Sequence, residues 1–469
     1  MLFTTIQFWA AFIAFLFFFV LLRRTKRELL ILYVILASLG FFYLSNQWLM
    51  LLLPATAIIS WVLTEWMSGM KGSGRKWMLF IIVTLDLLPL LFFKYSHPFS
   101  EMLSQMLNTN FSLPSIALPI GISFYTFQAI SYSIDIYRRD FCIKVTFLEY
   151  LFYLSFFPLL LAGPITRAKT FFPQIRRENV VSERLLYLGL WLVILGLVKK
   201  AIVADYIAQY NDWIFSTPDA YSGFECLMGL IGFTMQIYLD FSGYSDISIG
   251  IAAMLGIRLR ENFAFPYRSR NLTEFWHRWH ISLSTWFRDY LYIPLGGNRH
   301  GILRTCISLI ITMIAAGIWH GSTLMFLIWG ALHGIGLAIH KAFQPVLRNI
   351  RDNLLTISVS RIITFCFVVF CWAFFRAQDL NTAQQLLSGI FTRMDLSYAA
   401  PFFAARTTWC ILLIASLLSL FVGEKLYRHI EAKFIYWPWL MKLLIFLAVV
   451  QIVIELHTSD IQPFLYFRF

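Results

Sequence analysis

Charge is scarce in this sequence. Asp, Glu, Lys and Arg make up 13% of 469 residues, against 59% hydrophobic ones, and mean hydropathy is +0.70. Soluble domains carry about 25% charged residues, and a single core stops growing at roughly 250–300 residues. The excess apolar surface therefore excludes an ordinary soluble fold and calls for lipid. Cysteine is as sparse: Cys142, Cys226, Cys306, Cys366, Cys371 and Cys410 form no CxxC and no metal-ligand spacing. They read as free thiols packed among apolar helices. Repeats and low-complexity segments are missing, and no polar stretch is long enough to fold as a soluble domain. Two loops, 96–115 and 206–222, contain neither Lys nor Arg.

Apolar runs fill the chain instead. A span takes about 20 residues, and candidates lie near 5–22, 29–45, 47–66, 76–95, 116–137, 185–205, 223–256, 302–320, 323–344, 355–375, 408–427 and 437–457. The segment 146–163 has basic residues on both sides and reads as re-entrant. The expected class is an all-α polytopic membrane protein with about 11–13 transmembrane helices plus re-entrant and interfacial ones.

The net charge of +13 does not point to nucleic acid, because the basic residues sit in short clusters between apolar runs. Alternate loops carry Lys71/Arg75/Lys76, Arg138/Arg139/Lys144, Arg167/Lys169/Arg176/Arg177, Arg258/Arg260, Lys341/Arg348/Arg351 and Lys425/Arg428/Lys433. This is the positive-inside pattern of a multi-pass protein; loop 377–407, with Arg393 and Arg406, fits it least. The first apolar run is followed, not preceded, by Arg23, Arg24, Lys26 and Arg27. That order predicts a retained span with its N-terminus outside the cytoplasm.

Polar groups at membrane depth are functional candidates by default. His320, in Gly317-Ile318-Trp319-His320-Gly321, ends an apolar run between glycines that leave room for a substrate. Burial keeps an imidazole neutral and basic, so His320 is either a base or a helix-terminal histidine bonded to a carbonyl. In Phe275-Trp276-His277-Arg278-Trp279-His280-Ile281-Ser282-Leu283-Ser284, helical spacing puts Trp276, Trp279, Leu283 and Trp286 on one side. His277, His280, Ser284 and Arg288 fall on another, as a cavity lining or anion contact. A metal on His277 and His280 needs further ligands that no neighbour clearly supplies. Asp240, Ser242 and Asp246 interrupt a hydrophobic run, as a proton relay or as partners of an opposing base. His333 reads as a packed polar residue, and Gly296-Gly297-Asn298-Arg299 as a weak anion-binding turn.

Several of these stretches resemble the membrane-bound O-acyltransferase (MBOAT) family, in particular its bacterial branch of alginate O-acetyltransferases. They are LPIGISFYTFQ from Leu118, SYSIDIYR from Ser131, AGPITR from Ala162, YLDFSGYSDISIG from Tyr238, ENFAFPY from Glu261, FWHRWHISLSTWFRDYLYIPLGGNR from Phe275, GIWHG from Gly317 and PFLYFRF from Pro463. The similarity runs in order from about residue 115 to 376 and is weaker at both ends. The family usually has Arg where this chain has His277.

The resemblance implies one membrane domain over 1–469, with N-terminal spans to 115, a catalytic core at 116–376 and C-terminal spans from 377. It implies helices ringed around a central tunnel, His320 as the family's invariant histidine, and His280 as a second catalytic histidine. The implied activity is O-acetylation of a cell-surface or secreted polysaccharide, such as an alginate-like exopolysaccharide, cellulose or peptidoglycan. The donor would be a cytoplasmic thioester such as acetyl-CoA, with Arg278, Arg288, Arg299, Asp240, Ser242, Asp246 and Trp319 as candidate donor or substrate contacts. A thioester is already activated, so neither metal nor bound cofactor is expected. The location would be the bacterial inner membrane, with a periplasmic SGNH-hydrolase-like partner and membrane lipid around the helices. Two other classes remain: a proton-coupled transporter, which requires paired broken helices that the sequence does not display, and a non-catalytic component of polysaccharide export.

Overall fold

Apolar runs fold as helices in lipid because a helix satisfies its own backbone donors and acceptors. The computed structural model describes residues 3–109, 111–114, 116–177, 181–347 and 351–456, and among them every regular element is helical. Arg348 and the closing stretch from Pro463 lie outside the described residues. Among the described residues eight helices are long and apolar enough to cross a membrane, or nine if the bent pair Leu396–Ala405 and Thr407–Ser419 forms one span, fewer than the 11–13 expected. The chain is an all-α, multi-pass membrane protein.

Each expected span has a counterpart. Those at 29–45 and 47–66 join into one run, Arg27–Gly69, interrupted only by the turn at Gln47–Leu51. Two others fall on helices of 17 residues, Ile6–Leu22 and Ile122–Arg138. The latter is packed on nearly every side, with Gln128, Ser131, Ser133 and Asp135 buried, so its polarity faces protein. Outer faces are apolar instead: Phe17, Phe80, Leu303, Ile363 and Leu418 are all exposed. So much bare apolar surface is stable only under lipid.

Two compact units divide the chain. The first comprises Met1–Val193 with Tyr244–Arg260. Several of its buried polar groups are paired: Ser60 donates to Asp86 at 3.1 Å, Tyr150 to Ser60 at 3.1 Å, and Thr64 lies 2.8 Å from Ser133. The segment expected to be re-entrant forms two short helices, Phe147–Ser155 and Phe157–Ala162, broken at Phe156. Thr146 and Glu149 close a capping box at the start of the first.

The second unit comprises Ile194–Gly243 with Glu261–Phe469. At its centre the helix Gly301–His320 folds back on Leu324–Leu347. Small residues let the two backbones approach closely, as in other membrane helix pairs. A Cβ on Gly330 would lie 2.4 Å from the Met313 carbonyl oxygen, and one on Gly317 2.2 Å from that of Phe326.

Candidate active site

A single helix through Trp276, Trp279, Leu283 and Trp286 does not exist. The helix Leu272–Arg278 stops at Trp279, His280 takes a left-handed φ of 41°, and a new helix runs from Ile281 to Phe287. The segment before them holds the break open. The Ala264 amide donates to the Arg278 carbonyl at 3.0 Å, and the Ile281 amide to the Asn262 carbonyl at 2.8 Å. His277 and His280 therefore do not share the face that their i, i+3 spacing predicts: His277 is exposed and His280 is fully buried.

Asn262 also sets the tautomer of His280. Its Oδ1 accepts from the Ser282 amide at 3.1 Å and from the Ser282 hydroxyl at 2.9 Å. That amide cannot accept, so the oxygen, not the nitrogen, faces this way. His280 Nδ1, 3.2 Å from the same oxygen, must carry a proton, which leaves the basic lone pair on Nε2. Burial pushes the pKa of His280 down to about 3, so the ring is neutral at any physiological pH.

Trp319 stands against both histidines. Its ring centroid is 6.4 Å from that of His280 and 4.8 Å from that of His320. Phe241 meets His280 edge-on at 4.5 Å. His320 is the last residue of its helix, 6% exposed, with Trp329 and Phe375 edge-on at 5.1 and 5.2 Å. Gly317 and Gly321, taken from the sequence as clearance for a substrate, serve packing instead. A Cβ on Gly321 would fall 2.0 Å from the Phe326 ring, and the space beside Gly317 is filled by Phe326 backbone.

Clearance comes from another side. A cavity of about 590 Å³ reaches His320 between Met313 and Ala316 of its own helix and Ile281, Ser284 and Phe287 of the one after the break. His277, Arg288 and Lys341 also line it, so a histidine and potential cations share one apolar-walled space. His280 is not among the lining residues.

The other predicted residues divide. Arg288 lines the cavity, with its Nε 2.8 Å from Asp289. Arg278 does not; it pairs with Glu274 at 2.9 Å and donates to the Ala264 carbonyl at 3.0 Å, which fastens the helix break. Arg299 is exposed in the turn after Gly296-Gly297 and is not in the lining. Asp240 is buried and ion-paired with Lys200, which also bonds Asp205 at 2.7 Å. Its neighbour Ser242 is buried, and Asp246 belongs to the first unit. His333 is enclosed by Trp276 and Trp329, at 5.1 and 5.0 Å between rings.

Residues 31–381 match the membrane-bound O-acyltransferase family. The chain belongs to that family. It is 34% identical to a protein of Pseudomonas putida named probable alginate O-acetylase, over 92% of this chain and 97% of the relative. It is also 34% identical to the peptidoglycan O-acetyltransferase of Helicobacter pylori, over 83% and 80%. With the teichoic acid D-alanyltransferase of Bacillus subtilis identity is 29%, over 56% of this chain and 69% of the relative. The protein is thus a membrane O-acyltransferase.

Within this O-acyltransferase, three residues went unread in the sequence. Asn262 is hidden because its partners lie 18 and 20 residues away. Lys200 lies in an apolar run and resembles a span end. Lys341 resembles a topology signal until the cavity shows what it faces. Polarity inside an apolar run is a usable signal for Lys200 alone.

Proposed function

We propose that this enzyme takes an acetyl group from a cytoplasmic thioester of the acetyl-CoA kind and delivers it for O-acetylation of a polysaccharide outside the inner membrane. The carrying observation is His320 at the wall of a cavity that Arg288 and Lys341 share. An imidazole there suits proton removal, and the cations suit a phosphorylated donor. The acceptor oxygen attacks the thioester carbonyl carbon; a C–O bond forms and the C–S bond breaks. His320 takes the hydroxyl proton, which ends on the departing thiolate. His280, through its contact with Trp319, positions this centre.

Two of the relatives are named for O-acetylation, of alginate and of peptidoglycan, which favours acetyl as the acyl group and a polymer as the final acceptor. A periplasmic SGNH-hydrolase-like partner would carry acetyl the last step. The test is His320→Ala in cells, with polymer acetyl content as the readout. A general base contributes about 10² to 10⁴ in rate, so acetylation should fall to background while the purified variant elutes and melts like the wild type. Near-normal acetylation by a folded His320→Ala protein overturns the assignment.

A further inference from the structure

A second cavity lies in the first unit, lined by residues that the acyl-transfer site does not use. It measures about 380 Å³ and is walled by Arg23, Arg27, Arg176 and Arg177 together with Phe19, Val34, Phe152 and Ile257 among its apolar residues. Arg23 and Arg27 flank the short turn between the apolar helices Ile6–Leu22 and Arg27–Asn46. Arg176 ends the helix Ala168–Arg176, and Arg177 follows it.

Glu149 fixes two of the four guanidinium groups. Arg176 grips it with Nε at 2.9 Å and Nη2 at 2.6 Å, and Arg27 bonds its Oε1 from the other side. One carboxylate does not neutralise four arginines, so the cavity keeps a positive field. Arg23 and Arg177 stand exposed at its rim.

We infer that this cavity binds the phosphate head group of an anionic phospholipid, with the apolar wall taking the start of its acyl chains. A small soluble anion would satisfy the arginines but leave the apolar wall wet. A lipid satisfies both halves. The position agrees, since the cavity lies where the exposed apolar faces of the two helices, with Phe18, Leu21 and Leu29, give way to arginine. That level is where head groups lie in a bilayer.

Native mass spectrometry of the full chain in neutral detergent, with synthetic phosphatidylglycerol and phosphatidylcholine of equal acyl length, reads the inference directly. One phosphatidylglycerol should be retained per chain, at least tenfold over phosphatidylcholine. Arg23→Gln and Arg177→Gln should each cut retention about fivefold, the factor expected for one basic residue at an anionic membrane surface. Arg24→Gln, whose residue does not line the cavity, should leave retention unchanged and serves as the control. Equal retention of the two lipids overturns the inference, and so does undiminished binding by a protein carrying both Arg23→Gln and Arg177→Gln. An Arg24→Gln loss as large as that of Arg23→Gln would make the effect diffuse surface charge. Displacement of the lipid by equimolar glycerophosphoglycerol would make the ligand a soluble phosphate. The lipid comparison on the wild type needs no variant, so a misfolded mutant leaves the test intact.

Discussion

Lys200 is 1% exposed in a π-helical turn, Val198–Ala204, and its ammonium group is spent on Asp240 and Asp205. The sequence leaves Asp240 open between a proton relay and a paired carboxylate, because nothing local names the partner 40 residues away. The structure supplies the pair. Breaking a buried pair by removing one member costs about 3–5 kcal/mol, whereas replacing both by apolar groups is often neutral. Lys200→Met should therefore lower the melting temperature sharply, and Lys200→Met with Asp240→Leu should recover most of the loss. A single variant that melts like the wild type would show that the pair contributes nothing. Glu149 gives a pH signature. Burial pulls its carboxyl pKa up, but the bonds from Arg176 and the Thr146 amide and the nearby charges of Arg176 and Arg27 outweigh it, and the net shift is downward. A carboxylate held low in the folded state adds stability that is complete above its unfolded pKa, about 4.3, and is lost as pH falls through the folded value. Melting temperature should be flat from neutral pH down to about 5 as far as this group is concerned, then drop. Glu149→Gln should flatten that acid limb, and identical acid limbs in the two proteins would remove Glu149 from the account.

Helices as elements are largely legible here, since apolar run length is a strong signal in lipid; their breaks are not. Nothing between Trp276 and Trp286 is Gly or Pro, so periodicity reads through His280 without pause. The break depends on hydrogen bonds with the Asn262 carbonyl and the Ala264 amide, a tertiary cause with no local trace. It is also what separates His280, buried, from His277, exposed. The glycines beside His320 were legible as important and misread in purpose: they admit Phe326, not a substrate. Gly317→Ala tests this at the level of the helix pair. Its Cβ would meet the Phe326 carbonyl oxygen at 2.2 Å, a backbone atom that cannot swing away. Overpacking costs typically 1–3 kcal/mol, and relief requires the helix ending at His320 to shift. Both thermal stability and initial acetylation rate should fall. Gly40, with nothing within 4 Å of its Cβ position, is the matched control, and Gly40→Ala should leave both unchanged. If Gly317→Ala behaves like Gly40→Ala, the close approach is not what seats His320.

At the scale of the whole molecule, chain order conceals how the parts are grouped. Residues Tyr244–Arg260 belong to the first unit although the preceding part of the same long helix belongs to the second, and hydropathy carries no information on such interleaving. Orientation in the membrane is different, because the basic residues encode it directly. Lys71, Arg75 and Lys76 cluster at one end of the helix Ser73–Leu107, while 96–115 carries neither Lys nor Arg. That helix has 35 residues, and a rise of about 1.5 Å per residue gives it roughly 52 Å, ample for a bilayer core of about 30 Å. If that helix crosses, Ser73 and Ser112 lie on opposite sides whichever way the protein is inserted, which builds the control into the experiment. Ser216, exposed at the far end of Glu183–Ser216, reports the same side as Ser112 if the charge pattern holds. The native thiols that are exposed, Cys142 and Cys366, have to be replaced before labelling. In that background, cysteine at Ser112 or Ser216 should react with an impermeant maleimide in intact spheroplasts, and cysteine at Ser73 only after lysis. Reaction at Ser73 alone would invert the protein and put the basic loops outside. Reaction at Ser73 and Ser112 together would mean that Ser73–Leu107 does not cross the membrane, and the topology drawn from its charges would fall with it.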